Sequence, residues 1–259
     1  MNQSNESRVA GAAPHPPLEK YYPGESQRRG FVTGLFDRTA PHYDWINRVM
    51  SFGSGVRYRR DALGRAGLVA GDRVLDVAIG TGLVARAAAD ILAGDGRITG
   101  VDLSMGMLAE ARKSLPITLV QGVAERLPVA DGCADFVTMG YALRHVTDLE
   151  STFAEYLRVL KPGGTLLILE LTRPATNSAA YRLTRFYLHT VVPLLARLGP
   201  GGSESQTLME YFWDTVDNCV PPATILAALA SSGFASVRQD VQHRVFSEYV
   251  ATKPRKSVF

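Results

Sequence analysis

Cysteine is scarce in this chain. Cys133 and Cys219 are the only two among 259 residues, far apart and without metal-ligand spacing. That excludes a disulfide framework, gives no metal site, and suits a reducing compartment. Long apolar runs are also missing: nothing approaches the ~18 uninterrupted residues of a membrane span, and the first residues lack the apolar core of a secretory signal. No long run of lysine and arginine occurs and the formal net charge is only +3, so there is no nucleic-acid footprint. The expected location is cytoplasmic, with peripheral contact to a membrane left open. What remains is an ordinary globular composition, 46% hydrophobic and 20% charged, in a length that suits one large domain.

The informative stretch is Val74-Leu75-Asp76-Val77-Ala78-Ile79-Gly80-Thr81-Gly82. A short apolar run around one acid reads as a buried parallel strand. Gly-x-Gly follows, and behind it Leu83, Ala87 and Ile91 stand at helical spacing. Strand, glycine turn and helix bring backbone N–H groups and a helix N-terminus against a nucleotide or nucleoside. Arg97-Ile98-Thr99-Gly100-Val101-Asp102 then sets an acid at a second strand's end, about 20 residues on, where ribose hydroxyls need an acceptor. The third glycine of a dinucleotide fingerprint is missing, with Ala85 in its place, and no P-loop lysine follows. Asp76, inside the strand, repels phosphate and suits a cation. S-adenosylmethionine has a sulfonium, an α-amine, two ribose hydroxyls and no phosphate, and it matches this set. The alternative is that Asp76 is purely structural.

In chain order, residues 1–27 read as a flexible tail and 28–67 as a helical lid. The lid pattern restarts at Thr39-Ala40-Pro41 and breaks at Ser51 to Gly55. A cofactor-binding core spans 68–172, with strands at 73–79, 97–103, near 117–121, at 134–140 and at 164–171. Helices fill the gaps at about 82–93, 104–114 and 148–160, the last ended by Lys161-Pro162-Gly163-Gly164. Residues 173–259 supply acceptor-side helices and two closing antiparallel strands, about 236–242 and 246–252. The fold class is α/β: a Rossmann-like, mostly parallel seven-stranded sheet with helices on both faces and ligands at the strands' carboxyl ends. Within Tyr181 to Leu198, Leu183, Phe186, Tyr187, Val191, Leu194 and Leu198 form one stripe and Arg182, Arg185 and His189 another. The apolar stripe faces either the core or an acceptor pocket, and Pro193 is expected to kink the helix.

Several segments resemble the class I S-adenosylmethionine-dependent methyltransferases, and more closely the ubiquinone/menaquinone biosynthesis C-methyltransferases. They are Phe36-Asp37-Arg38-Thr39-Ala40-Pro41-His42-Tyr43-Asp44, Asn47-Arg48-Val49-Met50-Ser51-Phe52-Gly53, the glycine loop with Ala78 in place of a first glycine, Ala142-Leu143-Arg144-His145-Val146-Thr147-Asp148, and Tyr187 to Pro193. The sequence departs from that pattern at Leu83, where the family usually has an acid, at Val123, where it has Asn or Asp, and at His145, where it has Asn.

The resemblance implies a methyltransferase that binds S-adenosyl-L-methionine through Asp76, Ala78, Gly80, Thr81, Gly82, Asp102, Leu103 and Met107, with Val123, Ala124 and Glu125 near the adenine. It also sets Arg144, its neighbour His145 and Tyr43 around a small aromatic acceptor, with Tyr141, Phe186, Tyr187 and His189 completing the pocket. Methyl transfer to a quinol carbon needs a neighbouring phenol, with a pKa near ~10, to lose its proton. His145 is a candidate base because imidazole titrates near neutrality, and Arg144 is a candidate for holding the phenolate. Alternatively, Arg144 bonds backbone carbonyls and His145 caps the next helix. O- or N-methylation of another small molecule, a non-catalytic cofactor-binding role and a homodimer stay open.

Overall fold

In a computed structural model, which describes residues 13–174 and 176–255, the sheet has the order β3-β2-β1-β4-β5-β7-β6. Strands β1 (Arg73–Val77), β2 (Arg97–Asp102), β3 (Thr118–Gln121), β4 (Ala134–Gly140) and β5 (Leu160–Leu171) pair in parallel. The last two, β6 (Ala235–Gln242) and β7 (Phe246–Thr252), are antiparallel and close the β5 edge. Side chains alternate to the two faces. Leu75, Val77, Val137 and Met139 meet α5 (Leu149–Val159) and α9 (Pro222–Ser231) on one face. Val74, Phe136, Leu167 and Leu169 meet α2 (Gly55–Arg65) and α3 (Leu83–Leu92) on the other. The order in which strands are added reverses between β1 and β4, where open α/β sheets form a ligand crevice at the strand ends. β5 begins at Leu160, not 164. Its pairing with β4 steps from Ala134–Leu160 to Phe136–Thr165, so Lys161-Pro162-Gly163-Gly164 bulges out of an already started strand.

A third apolar cluster lies above those strand ends. It joins α1 (Glu25–Ser51) to α7 (Val192–Leu198) and α8 (Gly202–Asp217) through Leu35, Ile46, Val192, Leu208 and Trp213. The sequence reading left no helix over 202–217. Three corrections concern this layer. First, α1 is one helix that runs through Pro41. A proline inside a helix costs about 3 kcal/mol, offset here by burial of Leu35, Thr39, Ala40 and Ile46 on one side of it. Thr39 Oγ1 also donates to the Leu35 carbonyl at 2.8 Å. The break at the helix end does occur, with Phe52 left-handed at φ +49°.

Second, α1 starts at Glu25, and residues 13–24, read as part of a tail, carry the buried His15 and Tyr22. Residues 1–12 of that tail lie outside the described residues. Third, α6 (Ala179–Phe186) and α7 are joined by a π-helical turn, Tyr187–Val191, directly before Pro193. The extra residue of such a turn shifts the helical phase. The buried stripe is Leu188, Val192 and Ala196, packed into the cluster with α1 and α8, while Leu183, Phe186, Leu194 and Leu198 are exposed on both sides of the turn.

Candidate active site

The carboxyl ends of β1, β2 and β4 open into one cavity roofed by α1. Its walls include Ala78, Gly80, Asp102, Leu103, Met107, Val123, Ala124, Glu125, Tyr141 and His145, with Phe36 and Tyr43 from above. Most of the residues expected from the sequence are thereby brought together.

The glycine loop is built for close approach. Gly80 sits at φ +57° on the cavity wall, and an added Cβ there would meet no protein atom within 4 Å, only the cavity. Gly82, at φ +90°, is different. It does not line the cavity, and its Cβ would fall 2.3 Å from Leu115 Cδ1. The left-handed backbone calls for glycine there, and the residue packs against Leu115 and not on the cavity wall. Thr81 is also turned away: its hydroxyl donates to Asp44 of α1, whose other oxygen lies 2.8 Å from Arg86 Nη2. Ala78 at φ +53° and Tyr141 at φ +60° are left-handed without being glycine. Each costs on the order of 1–2 kcal/mol, and both stand at the cavity, where such strain concentrates.

Asp102 accepts from Gly80 N and Ser104 N, both at 2.8 Å. A carboxylate offers about four acceptor sites, so two remain for ligand hydroxyls. Burial pushes its pKa up to about 6 against the pull of those N–H donors. Asp76 lies behind the wall, opposite Thr138 in the β1–β4 register, and accepts from Thr138 Oγ1 at 2.7 Å. Its second oxygen is buried with no partner, and burial pushes the pKa up to about 7. An orphaned acid oxygen behind an open glycine cradle, beside a ribose-competent Asp102 and the apolar side chains of Leu103, Met107 and Val123, fits a nucleoside bearing a cationic tail. Glu125 does not hang free: its carboxylate accepts from Thr147 N and Thr147 Oγ1, both at 2.6 Å, and fixes the loop after β4.

That loop carries a 3-10 turn, Leu143–His145. Arg144 is fully buried and lines neither of the two cavities described here. Its guanidinium pairs with Glu170, donates from Nε to Thr215 Oγ1 at 3.2 Å, and lies 4.7 Å from the Phe212 ring centroid. Glu170 also accepts from Leu143 N at 3.0 Å. Arg144 thus locks α8 to the sheet. His145 does face the cavity, stacked on Tyr211 and edge-on to Phe36, with Nδ1 unpartnered. Burial, with Arg144 and Arg28 nearby, drives its pKa well below the usual imidazole value. The ring is thereby held in its neutral form and is a weaker proton acceptor than an ordinary imidazole. The helix-cap alternative fails, because Asp148 caps α5 by accepting from Ser151 N at 2.7 Å.

A second cavity of about 480 Å³ adjoins the first, sharing Tyr43 and Tyr141 with it. Met50, Phe52, Leu171, Leu183, Tyr187, Leu188, Phe212 and Trp213 make it largely apolar. Tyr187 belongs to it, donating from its hydroxyl to the Met50 carbonyl at 3.2 Å. Phe186 and His189 do not; both are exposed. Sequence reasoning missed Arg59, which lines this cavity. Its place in the basic run Arg57 to Arg60 reads as a solvated face, and only its burial sets it apart.

The sequence profile of the ubiE/COQ5 methyltransferase family matches residues 24–252. A ubiquinone/menaquinone biosynthesis C-methyltransferase UbiE of Syntrophotalea carbinolica is 38% identical over 223 residues, 84% of this chain and 90% of that protein. A demethylmenaquinone methyltransferase of Symbiobacterium thermophilum is 38% identical over 184 residues, 67% of this chain and 71% of that one. Among solved structures, phosphoethanolamine N-methyltransferase 2 of Haemonchus contortus, in complex with S-adenosyl-L-methionine, superposes with a TM-score of 0.59 at 19% identity. That match covers 85% of this chain and 57% of the other, and it shares the fold. The protein belongs to the ubiE/COQ5 methyltransferase family and is an S-adenosylmethionine-dependent methyltransferase.

Proposed function

We propose that the protein methylates a ring carbon of a quinol that carries a long apolar tail. The observation behind this reading is the second cavity: about 480 Å³, mostly apolar, and joined to the cofactor cavity at Tyr43 and Tyr141. A compact polar acceptor would leave that surface unused. The relatives' names, ubiquinone/menaquinone biosynthesis C-methyltransferase and demethylmenaquinone methyltransferase, point to the same class of acceptor.

When bound, S-adenosylmethionine supplies an electrophilic methyl on a sulfonium. The chain's residues hold and orient. Asp102 accepts the ribose hydroxyls, Gly80 and Ala78 let the backbone approach the amino-acid part, and Leu103, Met107, Val123 and Ala124 pack around the base. Phe36 and Tyr43 cover the site and exclude water, which favours in-line displacement in a dry pocket. Neutral His145 offers Nδ1 to an acceptor hydroxyl as a hydrogen-bond partner, not as a strong base. The test is incubation with methyl-labelled S-adenosylmethionine and tailed and tailless quinols, with products read by mass spectrometry and NMR. A new ring C-methyl, formed faster on the tailed quinol, is expected; methylation at oxygen or nitrogen only would refute the reading.

The cavity mouth also supports peripheral contact with an anionic lipid surface. Phe52 and Leu183 on its rim, with Phe186, Leu194 and Leu198, are exposed, and no Asp or Glu occurs from 171 to 203 while Arg173, Arg182, Arg185 and Arg197 do. Sedimentation with phosphatidylglycerol vesicles but not with phosphatidylcholine vesicles is the expected result.

A further inference from the structure

Arg59 is the one buried cation lining the acceptor cavity that makes no salt bridge among the described residues. It is 6% exposed, and its Nε has no partner. Its single hydrogen bond among the described residues is a long one, Nη2 to Asn47 Oδ1 at 3.4 Å. No Asp or Glu lines this cavity, and its other cation, Arg173, is paired with Asp217 at 3.5 Å. Removing a guanidinium from water without a partner is costly, so such a group is kept where a ligand supplies the missing charge.

Its position decides which charge. The Arg59 guanidinium carbon lies 5.4 Å from the centroid of the Tyr141 ring. Tyr141 lines both cavities, so Arg59 stands beside the junction where the acceptor ring must meet the methyl donor. Arg144, the other candidate for holding an anionic oxygen, is already neutralised by Glu170 and reaches neither cavity. Asp76 feels the Arg59 charge, but burial outweighs it and pushes that carboxyl up to about 7, and no hydrogen bond joins the two. Tyr43 of α1, Tyr58 of α2 and Tyr141 are held protonated by burial. Glu248 is engaged by Arg65 at 2.6 Å.

We propose that Arg59 is a catalytic residue that binds the phenolate oxygen of the acceptor and draws the phenol's ionisation down toward neutral pH. The proposal deepens the quinol reading and rests on it. A planar guanidinium gives a phenolate two directed N–H donors, and an adjacent opposite charge lowers an acid's pKa by about 1–3 units. The phenol proton leaves to water, the ionised ring carbon displaces S-adenosylhomocysteine from the methyl, and the ring C–H proton then leaves to water to restore the aromatic ring, so no strong base is needed.

The probe is 4-nitrophenol, whose phenol and phenolate forms absorb differently, bound to the full chain saturated with S-adenosylhomocysteine. Wild type is expected to lower the bound phenol's midpoint by at least about one pH unit. Arg59→Met should abolish the shift, Arg59→Lys should keep part of it, and Arg144→Met should leave it if the chain stays folded by circular dichroism. In turnover, Arg59→Met should lose roughly 100-fold in kcat at pH 7 and recover toward high pH, where the free phenol ionises unaided. An unshifted midpoint in wild type, or one that Arg59→Met does not change, overturns the proposal. Quinols that go unmethylated while 4-nitrophenol shows the Arg59-dependent shift would sink the quinol reading and leave the anion site standing.

Discussion

Arg28 Nη2 donates to the main-chain carbonyl of Arg144 at 2.7 Å, so the start of α1 is fastened to the turn that carries His145. The same nitrogen lies 3.0 Å from His15 Nε2. His15 donates from Nδ1 to the Pro16 carbonyl, and burial, reinforced by Arg28, brings its pKa down to about 4. The neutral ring therefore accepts at Nε2. Arg28→Ala would strand a buried carbonyl and imidazole. A loss of about 1–3 kcal/mol in unfolding free energy by urea titration is expected, with faster amide exchange at Leu143 to His145. Unchanged stability would mean the link is not made in solution.

Asp102→Ala should weaken S-adenosylmethionine binding by roughly 10- to 100-fold in calorimetry, the loss of a charge-assisted hydrogen bond of ~1.5–3 kcal/mol. Equal affinity in a folded variant would remove the ribose assignment.

Asp76 carries a pH signature of definite sign. Its folded pKa, about 7, is raised above the ordinary carboxylate value. Between roughly pH 4 and 7 the native state keeps a proton that the unfolded chain has released, so this group's contribution falls as pH rises. Asp76→Asn still offers Thr138 an acceptor and does not titrate. Relative to the variant, ligand-free wild type should lose roughly 1–4 kcal/mol between pH 4.5 and pH 8 in paired urea titrations. A flat difference would show that the folded pKa of Asp76 is not shifted, and one that grows in wild type's favour would show that it is lowered.

His145→Asn should cost less than about tenfold in kcat, because a general base is worth roughly 10²–10⁴-fold and this imidazole is neutral throughout. The pH–rate profiles of wild type and variant should run parallel from pH 6 to 9. A neutral-range limb that disappears in the variant would restore the base.

The roof should respond to ligand. α1 is pinned to the cofactor loops by Asp44 on Thr81 and Arg86, and by Asp37, which accepts from Gly106 N at 2.9 Å. Hydrogen exchange across residues 28–51 should slow on adding S-adenosylmethionine, since entry requires some of these contacts to open. Rates that are equal with and without the ligand would count against a lid.

The sequence by itself determined the alternating core. A buried parallel strand is a continuous apolar run, and a turn at positive φ calls for glycine, so β1, β4 and the Gly80 loop are local facts. Asp102 was legible for the same reason: its distance from the loop follows from one strand–helix–strand unit. What the sequence could not decide depends on contacts far apart in the chain. Thr81 and Gly82 belong to the same loop as Gly80, yet one serves Asp44 and the other Leu115, 37 residues before and roughly as far after. The expected stripe of Leu183, Phe186, Leu194 and Leu198 is exposed, and Leu188, Val192 and Ala196 are buried against α1 and α8 instead, a choice of face that periodicity alone does not contain. Arg59 and Arg144 are both arginines beside short apolar motifs. Only the tertiary structure gives Arg144 the carboxylate of Glu170 and leaves Arg59 facing a cavity without one, and that placement of counter-charge sets their different chemistry.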